Sequence, residues 1–355
     1  MYDCHKDVLA HHDKKVTLPQ SERTEMRDRR NANRDRLKRG LKDKGKPAPR
    51  EFKSQGSYAM KTMLQHPDNH YDIDDGVYFD KEALVGERGA EMTALQARQM
   101  VRDAIDDGGF KTPPEVHKNC VRVIYAAGYH VDLPVYRRVT TKDAFGNETY
   151  HHELASSDWK RSDARDVTEW FEKENNAQSP DTENGRQLRR ITRHIKKHSR
   201  SRDSWGSQIL SGFGITKLVT ECFRGNAERE DAALHDTMKA IRDRLNGNLV
   251  VKHPVTPNET ITKGDDDAAA RFLRDRLTEA VDNLAPLFEA DCTRKQALNC
   301  WDKVFNTSFF SDRLEASTKA AATVAAPSIL TAGLVASAGA AARSAVRKEG
   351  GGRYA

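Results

Sequence analysis

Cysteine is scarce in this sequence, and the cysteines that it has are widely separated. The 355 residues include five cysteines without a CxxC pair or zinc-finger spacing, which argues against a structural zinc site and a disulfide-stabilised secreted fold. The N-terminal residues also lack the apolar stretch of a signal peptide. These absences predict a protein of the reducing cytoplasm.

Strongly apolar runs of membrane-spanning length are missing as well. The uncharged segment Ala320–Ala342 is long enough to span a bilayer, but it consists mostly of Ala, Gly, Ser and Thr and is interrupted by Pro327. Charged residues make up 32% of the chain and the mean hydropathy is -0.80, values typical of a heavily solvated protein. We therefore expect no membrane partner, and we predict an Ala-rich, flexible tail over residues 313–355.

Positive charge is concentrated in two blocks although the net charge is only +6. From Arg23 to Arg50 the chain carries twelve Lys or Arg residues and four acids, and from Arg186 to Arg202 it carries eight and no acid. Blocks of one sign indicate anionic partners such as phosphates, nucleotides or nucleic acid. For each block, a solvated helix face is the alternative interpretation.

Residue patterns predict an α+β protein of two lobes. A basic helix is predicted at 20–45 and another helix at 93–106, and strands are predicted near 72–79, 120–126, 129–136 and 150–154. Residues 121–125 and 130–133 have the pattern of a hairpin. Domain boundaries are predicted at 1–160 for a catalytic lobe, 161–312 for a helical lobe and 313–355 for the tail. The helices predicted in the second lobe are 161–174, 184–201, 207–224, 228–245, 265–290 and 293–305.

Three aspartates form the most informative pattern. Asp72 and Asp74 are two residues apart on a predicted strand, so their carboxylates project from the same face. Two carboxylates side by side repel each other unless a cation lies between them. Asp132 lies on a later predicted strand and could align with the pair. Three such acids can hold two metal ions about 4 Å apart, the arrangement used in nucleotidyl transfer, although each acid alone is a common surface feature.

A short Gly-Ser motif precedes the acids. Gly56 allows backbone N–H groups to approach a phosphate, the Ser57 hydroxyl adds a donor, and Lys61 could supply a point charge. In this order the motifs resemble the polymerase-β-type nucleotidyltransferase superfamily. The segments Gln55-Gly-Ser and Asp72-Ile-Asp-Asp-Gly-Val-Tyr are similar to bacterial cGAS/DncV-like enzymes, particularly the cyclic GMP-AMP synthases.

The resemblance implies a polymerase-β-like catalytic core with a helical C-terminal lobe and an enzyme that makes a cyclic di- or trinucleotide, with ATP and GTP as substrates. Two Mg²⁺ or Mn²⁺ ions would be bound by Asp72 and Asp74, and Asp132 would bind the ion that activates the acceptor hydroxyl. Gly56 and Ser57, with Gln55 beside them, would hold the donor triphosphate. Lys197 and Ser211 would contact the phosphates, with Lys196 or Ser207 as alternatives.

The resemblance also implies partners. The product would activate an effector in anti-phage defence of the CBASS type, and the C-terminus at Ala355 could be conjugated by an E1/E2-like partner, with an ordinary frayed end as the alternative. Stable DNA binding is not expected, because no Cys/His cluster like the zinc ribbon of the animal DNA sensor is evident. Two other functions stay open: a nucleotidyltransferase acting on RNA or on a protein hydroxyl, and a non-enzymatic nucleic-acid-binding protein, which would leave the three acids unexplained.

Overall fold

The acidic motif lies on an interior strand of a mixed sheet. The computed structural model describes residues 1–65, 71–86, 89–125, 128–256 and 258–314, and the sheet is formed by the first half of this range. In chain order the strands are Glu51–Gln55 (β1), Asp72–Asp80 (β2), Glu115–Val116 (β3), Val121–Ile124 (β4), His130–Leu133 (β5), Val135–Lys142 (β6), Glu148–Ala155 (β7) and Trp159–Arg161 (β8).

Strand β2 has neighbours on both edges. It pairs antiparallel with β1 on one edge, and parallel with β5 and then β6 on the other. The main path of the sheet is β3-β4-β5-β2-β6-β7-β8. Ile73, Val77, Tyr78 and Phe79 are fully buried, as expected for a strand covered on both faces.

The predicted hairpin is present, with β4 antiparallel to β5 and Val121 opposite Leu133. The segment predicted as one strand at 129–136 is divided into β5 and β6 by Pro134, because proline has no N–H to donate to a neighbouring strand. The carbonyl of Pro134 still accepts a hydrogen bond from the N–H of Val77 at 2.8 Å. β5 and β6 therefore pair with successive parts of the same edge of β2.

Helices pack against the sheet and then form the second half of the described chain. All the predicted helices are present with shifted ends; for example, the one predicted at 265–290 ends at Leu284, before a 3-10 turn that contains Pro286. In chain order the helices are His5–His11 (α1), Gln20–Asp43 (α2), Gly56–Ala59 (α3), Ala94–Ile105 (α4), Ala164–Gln178 (α5), Gln187–Ser199 (α6), Gly212–Cys222 (α7), Glu230–Gly247 (α8), Ala268–Leu284 (α9) and Arg294–Phe305 (α10).

Side-chain chemistry accounts for several helix starts. Thr93 before α4 and Thr293 before α10 each accept a hydrogen bond from the backbone of the third helical residue, whose glutamine side chain accepts one in return. Asp267 caps α9 by accepting from two backbone N–H groups. These caps satisfy donors that the first turn of a helix leaves free.

The apolar core consists of two clusters. One is formed by the sheet with α2 and α4, and the other by α5 to α10. Cys4 and Val8, at the beginning of the chain, belong to the helical cluster. The observed elements confirm the predicted α+β class, whereas the predicted domain boundaries at 160 and 312 stay predictions.

The predictions for Ala320–Ala342 and for the C-terminal Ala355 concern residues 315–355, which lie outside the described residues. Within the described ranges, none of the helices combines the length and the apolar composition needed to cross a membrane.

The long basic helix α2 packs closely on α4 at a glycine. A Cβ on Gly40 would lie 1.7 Å from the carbonyl oxygen of Ala104, so any side chain would force the helices apart. Glycine is unfavourable inside a helix, which indicates that close packing is the reason for its presence.

We predict that Gly40→Ala lowers the free energy of unfolding by about 1–3 kcal/mol, because the overpacking outweighs the better helix propensity of alanine. Urea unfolding followed by circular dichroism measures the change. Gly247→Ala, at the end of α8 where a Cβ would meet nothing within 4 Å, is the matched control and should be near neutral. Equal effects of the two substitutions would contradict the packing argument.

Candidate active site

The three aspartates lie side by side on adjacent strands, as predicted. Asp72 and Asp74 are on β2 and Asp132 is on β5, and the parallel register places Asp74 directly beside Asp132 and Asp72 beside His130. All three acids line one cavity. The alternating side-chain directions of β2 and the register with β5 bring them to the same face of the sheet.

Each carboxylate has a different environment. Arg122 on β4 donates two hydrogen bonds to Asp132, from Nε to Oδ1 and from Nη2 to Oδ2, both at 2.7 Å. The exposed Asp72 lies 3.1 Å from Nδ1 of His130. The side chain of Asp74 makes no hydrogen bond with the described residues. Burial, and then the charges of Asp132 and Asp72, raise the pKa of Asp74 to about 6.

These carboxylates fit a divalent ion that binds together with a phosphate. Within the described ranges, no three carboxylate, histidine or cysteine side chains are close enough, as placed, to hold one ion by themselves. Asp72 and Asp132 are each turned to a basic partner, but a carboxylate that accepts two bonds from arginine still has free lone pairs. Because Mg²⁺ commonly uses one or two carboxylates plus phosphate oxygens, the adjacent Asp74 and Asp132 are a suitable pair.

The Gly-Ser turn contacts the central carboxylate. Gln55 at the end of β1 is opposite Asp74 in the strand register, and Gly56 follows with a φ of +60°. A Cβ on Gly56 would lie 2.1 Å from Oδ2 of Asp74, so both the backbone conformation and the space require glycine. Gly56 and Ser57 line the cavity, where the sequence placed them.

Gln55 differs from the prediction that it binds nucleotide. Its side chain is only 3% exposed, and its amide donates from Nε2 to the Tyr78 hydroxyl at 2.9 Å and accepts at Oε1 from the Tyr136 hydroxyl at 3.1 Å. The Tyr78 hydroxyl in turn donates to Asp163. The amide is therefore hydrogen-bonded to two buried tyrosines of the sheet, and Gln55 anchors the strand end from which the Gly56–Ser57 turn begins.

The second basic block forms helix α6, most of which is buried. Arg186, Arg190, Arg193 and Lys197 recur at helical spacing, but of these four side chains only Lys197 lines the cavity. Arg190 pairs with Glu230 and Asp181, Arg193 donates to the carbonyl of Lys61, and Arg186 precedes the helix and donates to the carbonyl of Asp181. Buried guanidinium groups need such partners, which the sequence spacing does not reveal.

Both lysines considered for phosphate contact line the cavity. Lys196 donates to Oγ1 of Thr62 at 3.0 Å, and Lys197 lies 3.4 Å from the carbonyl of Gln65. Burial, and then the charges of Arg200 and Arg193, lower the pKa of Lys196 to about 7. A bound anion would offset the cost of charging this buried ammonium group.

Three other predicted residues are absent from the described lining of the cavity. Lys61 is exposed and adopts a positive φ of 54°, and its carbonyl, rather than its ammonium group, is used in the contact with α6. Ser211 caps α7 by accepting from the N–H of Gly214 at 3.1 Å, whereas its neighbour Gly212 lines the cavity. The alternative residue Ser207 is exposed and likewise does not line it.

The cavity is large, with a volume of about 1990 Å³. This is roughly twice the upper end of the range typical of sites for one small ligand, which is about 1,000 Å³. Its wall also includes Phe213 and His253, whose rings contact edge to face with centroids 5.2 Å apart, and the half-exposed Tyr150. The loop between α8 and α9 contributes Val255, Thr256, Asn258 and Glu259 to the lining.

Two arginines of the site were not identified from the sequence. Arg122 is the second residue of the predicted hairpin strand 121–125, and only the β4–β5 register places it opposite Asp132. Arg165 lines the cavity and contacts Asp163, His152 and Glu51. The hairpin pattern with an arginine ten residues before Asp132 was the available signal for the first, and we find none for the second.

A comparison with known families gives one matching domain. Residues 50–136 match the family model described as "Cyclic GMP-AMP synthase DncV-like, nucleotidyltransferase domain". The match includes the Gly-Ser turn and all three aspartates.

Solved structures with the same fold cover most of the chain. A variant of Vibrio cholerae DncV in complex with ATP, GTP and 5MTHFGLU2 has a TM-score of 0.67 at 14% identity, over 86% of this chain and 96% of that one. V. cholerae DncV with the linear intermediate 5' pppA(3',5')pG has a TM-score of 0.66 at 16% identity, over the same shares of 86% and 96%. Escherichia coli MS115-1 CdnC with ATP has a TM-score of 0.61 at 16% identity, over 86% and 98%.

The raised pKa of Asp74 predicts a change in stability. A carboxyl group that binds its proton more tightly in the folded state destabilises the fold as the pH rises above about 4, with the full penalty above about 6. We therefore expect Asp74→Asn, without divalent ions, to raise the free energy of unfolding at pH 8 by about 1–2 kcal/mol, and by less toward pH 5.

Thermal unfolding in EDTA at several pH values measures this difference. Asp80→Asn is the matched control, because Asp80 lies at the other end of β2 in a surface ion pair with Arg50 and should change stability little. An Asp74→Asn protein that is less stable than the unmodified chain at pH 8 would show that the carboxylate is not under electrostatic stress.

Proposed function

We propose that this chain, a cGAS/DncV-like nucleotidyltransferase, joins nucleoside triphosphates into a cyclic oligonucleotide at the Asp72, Asp74 and Asp132 cluster. The observation that carries the proposal is the Asp74 carboxylate, which has no hydrogen-bond partner among the described residues and lies between two other acids, against Gly56, in a cavity of about 1990 Å³. The volume supports two nucleotides in one site. The relatives solved with ATP and GTP, and with a linear intermediate, support the same substrate class.

Two Mg²⁺ or Mn²⁺ ions are the proposed cofactors. Asp72 and Asp74 would bind both ions and Asp132 one of them. When bound, such ions neutralise charge on the transferred phosphoryl group and lower the pKa of the attacking hydroxyl. The three carboxylates that line the cavity would hold these ions, and Arg122 orients the Asp132 side chain through two hydrogen bonds.

The remaining groups bind and orient the triphosphate. Gly56 lets the backbone at the start of α3 contact Asp74. The Ser57 hydroxyl and the N–H groups of the turn would then lie beside a phosphate that is bound at the acids. Lys196 and Lys197, which line the same cavity, would supply positive charge for the leaving pyrophosphate, on which negative charge increases. Positioning and charge stabilisation account for most of the catalysis in phosphoryl transfer.

ATP and GTP are the proposed substrates, and the aromatic wall of Tyr150, Phe213 and His253 offers planar surfaces for the bases. We further propose that the product activates an effector protein in anti-phage defence. Conjugation of Ala355 by an E1/E2-like partner stays a prediction from the sequence.

An RNA or protein acceptor is not favoured. The basic helix α2 would be the RNA-binding element in that case, but several of its arginines are used within the protein: Arg34 pairs with the buried Asp75, and Arg36 pairs with Asp107. The basic block therefore serves in part to attach α2 to the sheet, which reduces the charge available for a polyanion.

We predict that Asp74→Asn abolishes product formation while the protein stays folded, because the amide cannot ligate a cation as a carboxylate does. The assay is incubation with the four nucleoside triphosphates and Mg²⁺ or Mn²⁺, then phosphatase treatment and mass spectrometry. Asp80→Asn, on the same strand but outside the cavity lining, should keep full activity. A phosphatase-resistant product from Asp74→Asn at the unmodified rate would refute the proposal.

We also predict that Gly56→Ala lowers the rate of product formation about 100-fold, because the new methyl group displaces the Asp74 carboxylate. Gly146→Ala is a matched control: Gly146 has a similarly positive φ of +83°, but a Cβ there would meet nothing within 4 Å. The same loss of activity in both variants would attribute the effect to backbone strain in general.

A further inference from the structure

Part of the cavity wall carries positive charge that carboxylates do not neutralise. Four cationic side chains line this part of the wall, and none of them makes an ion pair with a carboxylate among the described residues. Three come from the last turn of α6 or directly after it, and the fourth comes from the N-terminal segment. They are Lys15, Lys196, Lys197 and Arg200.

Electrostatic interactions link the four cations: Arg200 interacts with Lys196 and Lys197, and Lys15 interacts with Lys197. Arg200 also interacts with Asp72. The backbone contacts agree, because Lys197 lies 3.4 Å from the carbonyl of Gln65, and the N–H of Gln65 donates to the carbonyl of Val16, the residue after Lys15. Like charges without counterions repel each other, which indicates that this cationic cluster binds an anion.

The backbone at Lys15 is held firmly although its side chain is free. Residues His12–Val16 form a π-helical turn after α1, and Val16 is fully buried. The carbonyl of Val16 accepts from the N–H of Gln65 at 2.9 Å, and the ring of His12 lies 3.1 Å from Nη1 of Arg193 on α6. The turn is thus attached to two other walls of the cavity.

A buried histidine lies near the same lysines. His11 is 2% exposed and lines the cavity, yet its Nδ1 has no hydrogen-bond partner in the part of the chain that the structure describes. Burial, and then the charges of Lys197, His12 and Lys15, lower the pKa of His11 to about 3, which keeps the ring neutral and able to donate one hydrogen bond. The Nδ1 nitrogen has almost no accessible surface and the ring packs against Phe305, Phe309 and Phe310, so His11 serves as neutral packing beside the lysines and not as a ligand contact.

We propose that Lys15, together with Lys197, forms a subsite for the terminal phosphates of a bound nucleoside triphosphate. The inference rests on the proposed function for the identity of the ligand. It adds that the N-terminal segment, which lies outside the matched domain at 50–136, completes the substrate site. A polyphosphate chain has the charge to neutralise several neighbouring cations, and lysine binds phosphate as a point charge.

The test compares Lys15→Gln with Lys14→Gln by isothermal titration calorimetry on the full chain. Lys14 is an exposed lysine of the same turn that does not line the cavity, so it controls for the loss of one surface charge. The probes are α,β-methylene-ATP, AMP and inorganic tripolyphosphate, each with Mg²⁺. We expect Lys15→Gln to weaken binding of the two triphosphate probes about 10-fold and to leave AMP unchanged, and Lys14→Gln to change each Kd less than 2-fold.

Three results would overturn the subsite: unchanged triphosphate binding in Lys15→Gln, equal weakening in both variants, or equal weakening for AMP and the triphosphate. The probes also separate the subsite from the proposed function. If the unmodified chain bound tripolyphosphate through Lys15 but bound no nucleotide, the anion subsite would stand and the nucleotidyltransferase substrate would be wrong. If it bound neither probe, both proposals would fail.

Discussion

Helix α6 connects the sheet to the helical part of the chain through its cationic side chains, and the site depends on this contact. Arg189 and Arg193 donate to the carbonyls of Met60 and Lys61, and Lys196 donates to Thr62. These acceptors belong to the segment that directly follows the Gly56–Ser57 turn. Helix α6 therefore fixes the position of the Gly56–Ser57 turn relative to the lysines at the end of the helix.

Burying so many cations is costly, and the structure offsets the cost in two ways. Arg190, near the start of α6, has complete ion pairs with Glu230 and Asp181, which anchor the helix within its own cluster. Lys196 and Lys197, near its end, have only neutral hydrogen-bond acceptors, so their charge is left for an anion in the cavity. The same helix thus changes along its length from a structural element to a binding element.

Within the sheet, close contacts at two glycines position the acids. Gly76 on β2 leaves room for the amide of Gln55, and Gly56 leaves room for the carboxylate of Asp74. Gln55 connects β1 to Tyr78 and Tyr136, and Tyr78 reaches Asp163 at the cap of α5. A polar network in which every member has a partner is rigid, and this rigidity keeps the turn and the acids in register.

The sequence alone determined the α+β class, the common face of Asp72, Asp74 and Asp132 and most of the longer helices and strands, because these follow from periodicity and from short-range motifs. It also determined that glycine and serine lie beside the acids. It did not predict β1 or the short elements β3, β8, α1 and α3. Tertiary structure decided which charged residues line the cavity: Lys196 and Lys197 do, whereas Arg190 and Arg193 contact buried protein groups. It also decided that the Gln55 amide bonds to Tyr78 within the sheet and does not line the cavity. The physical reason is that the nearest hydrogen-bond acceptor decides whether a cation is paired within the protein or left for a ligand. These acceptors are distant in the chain: Glu230 is 40 residues from Arg190, and Lys61 is 132 residues from Arg193.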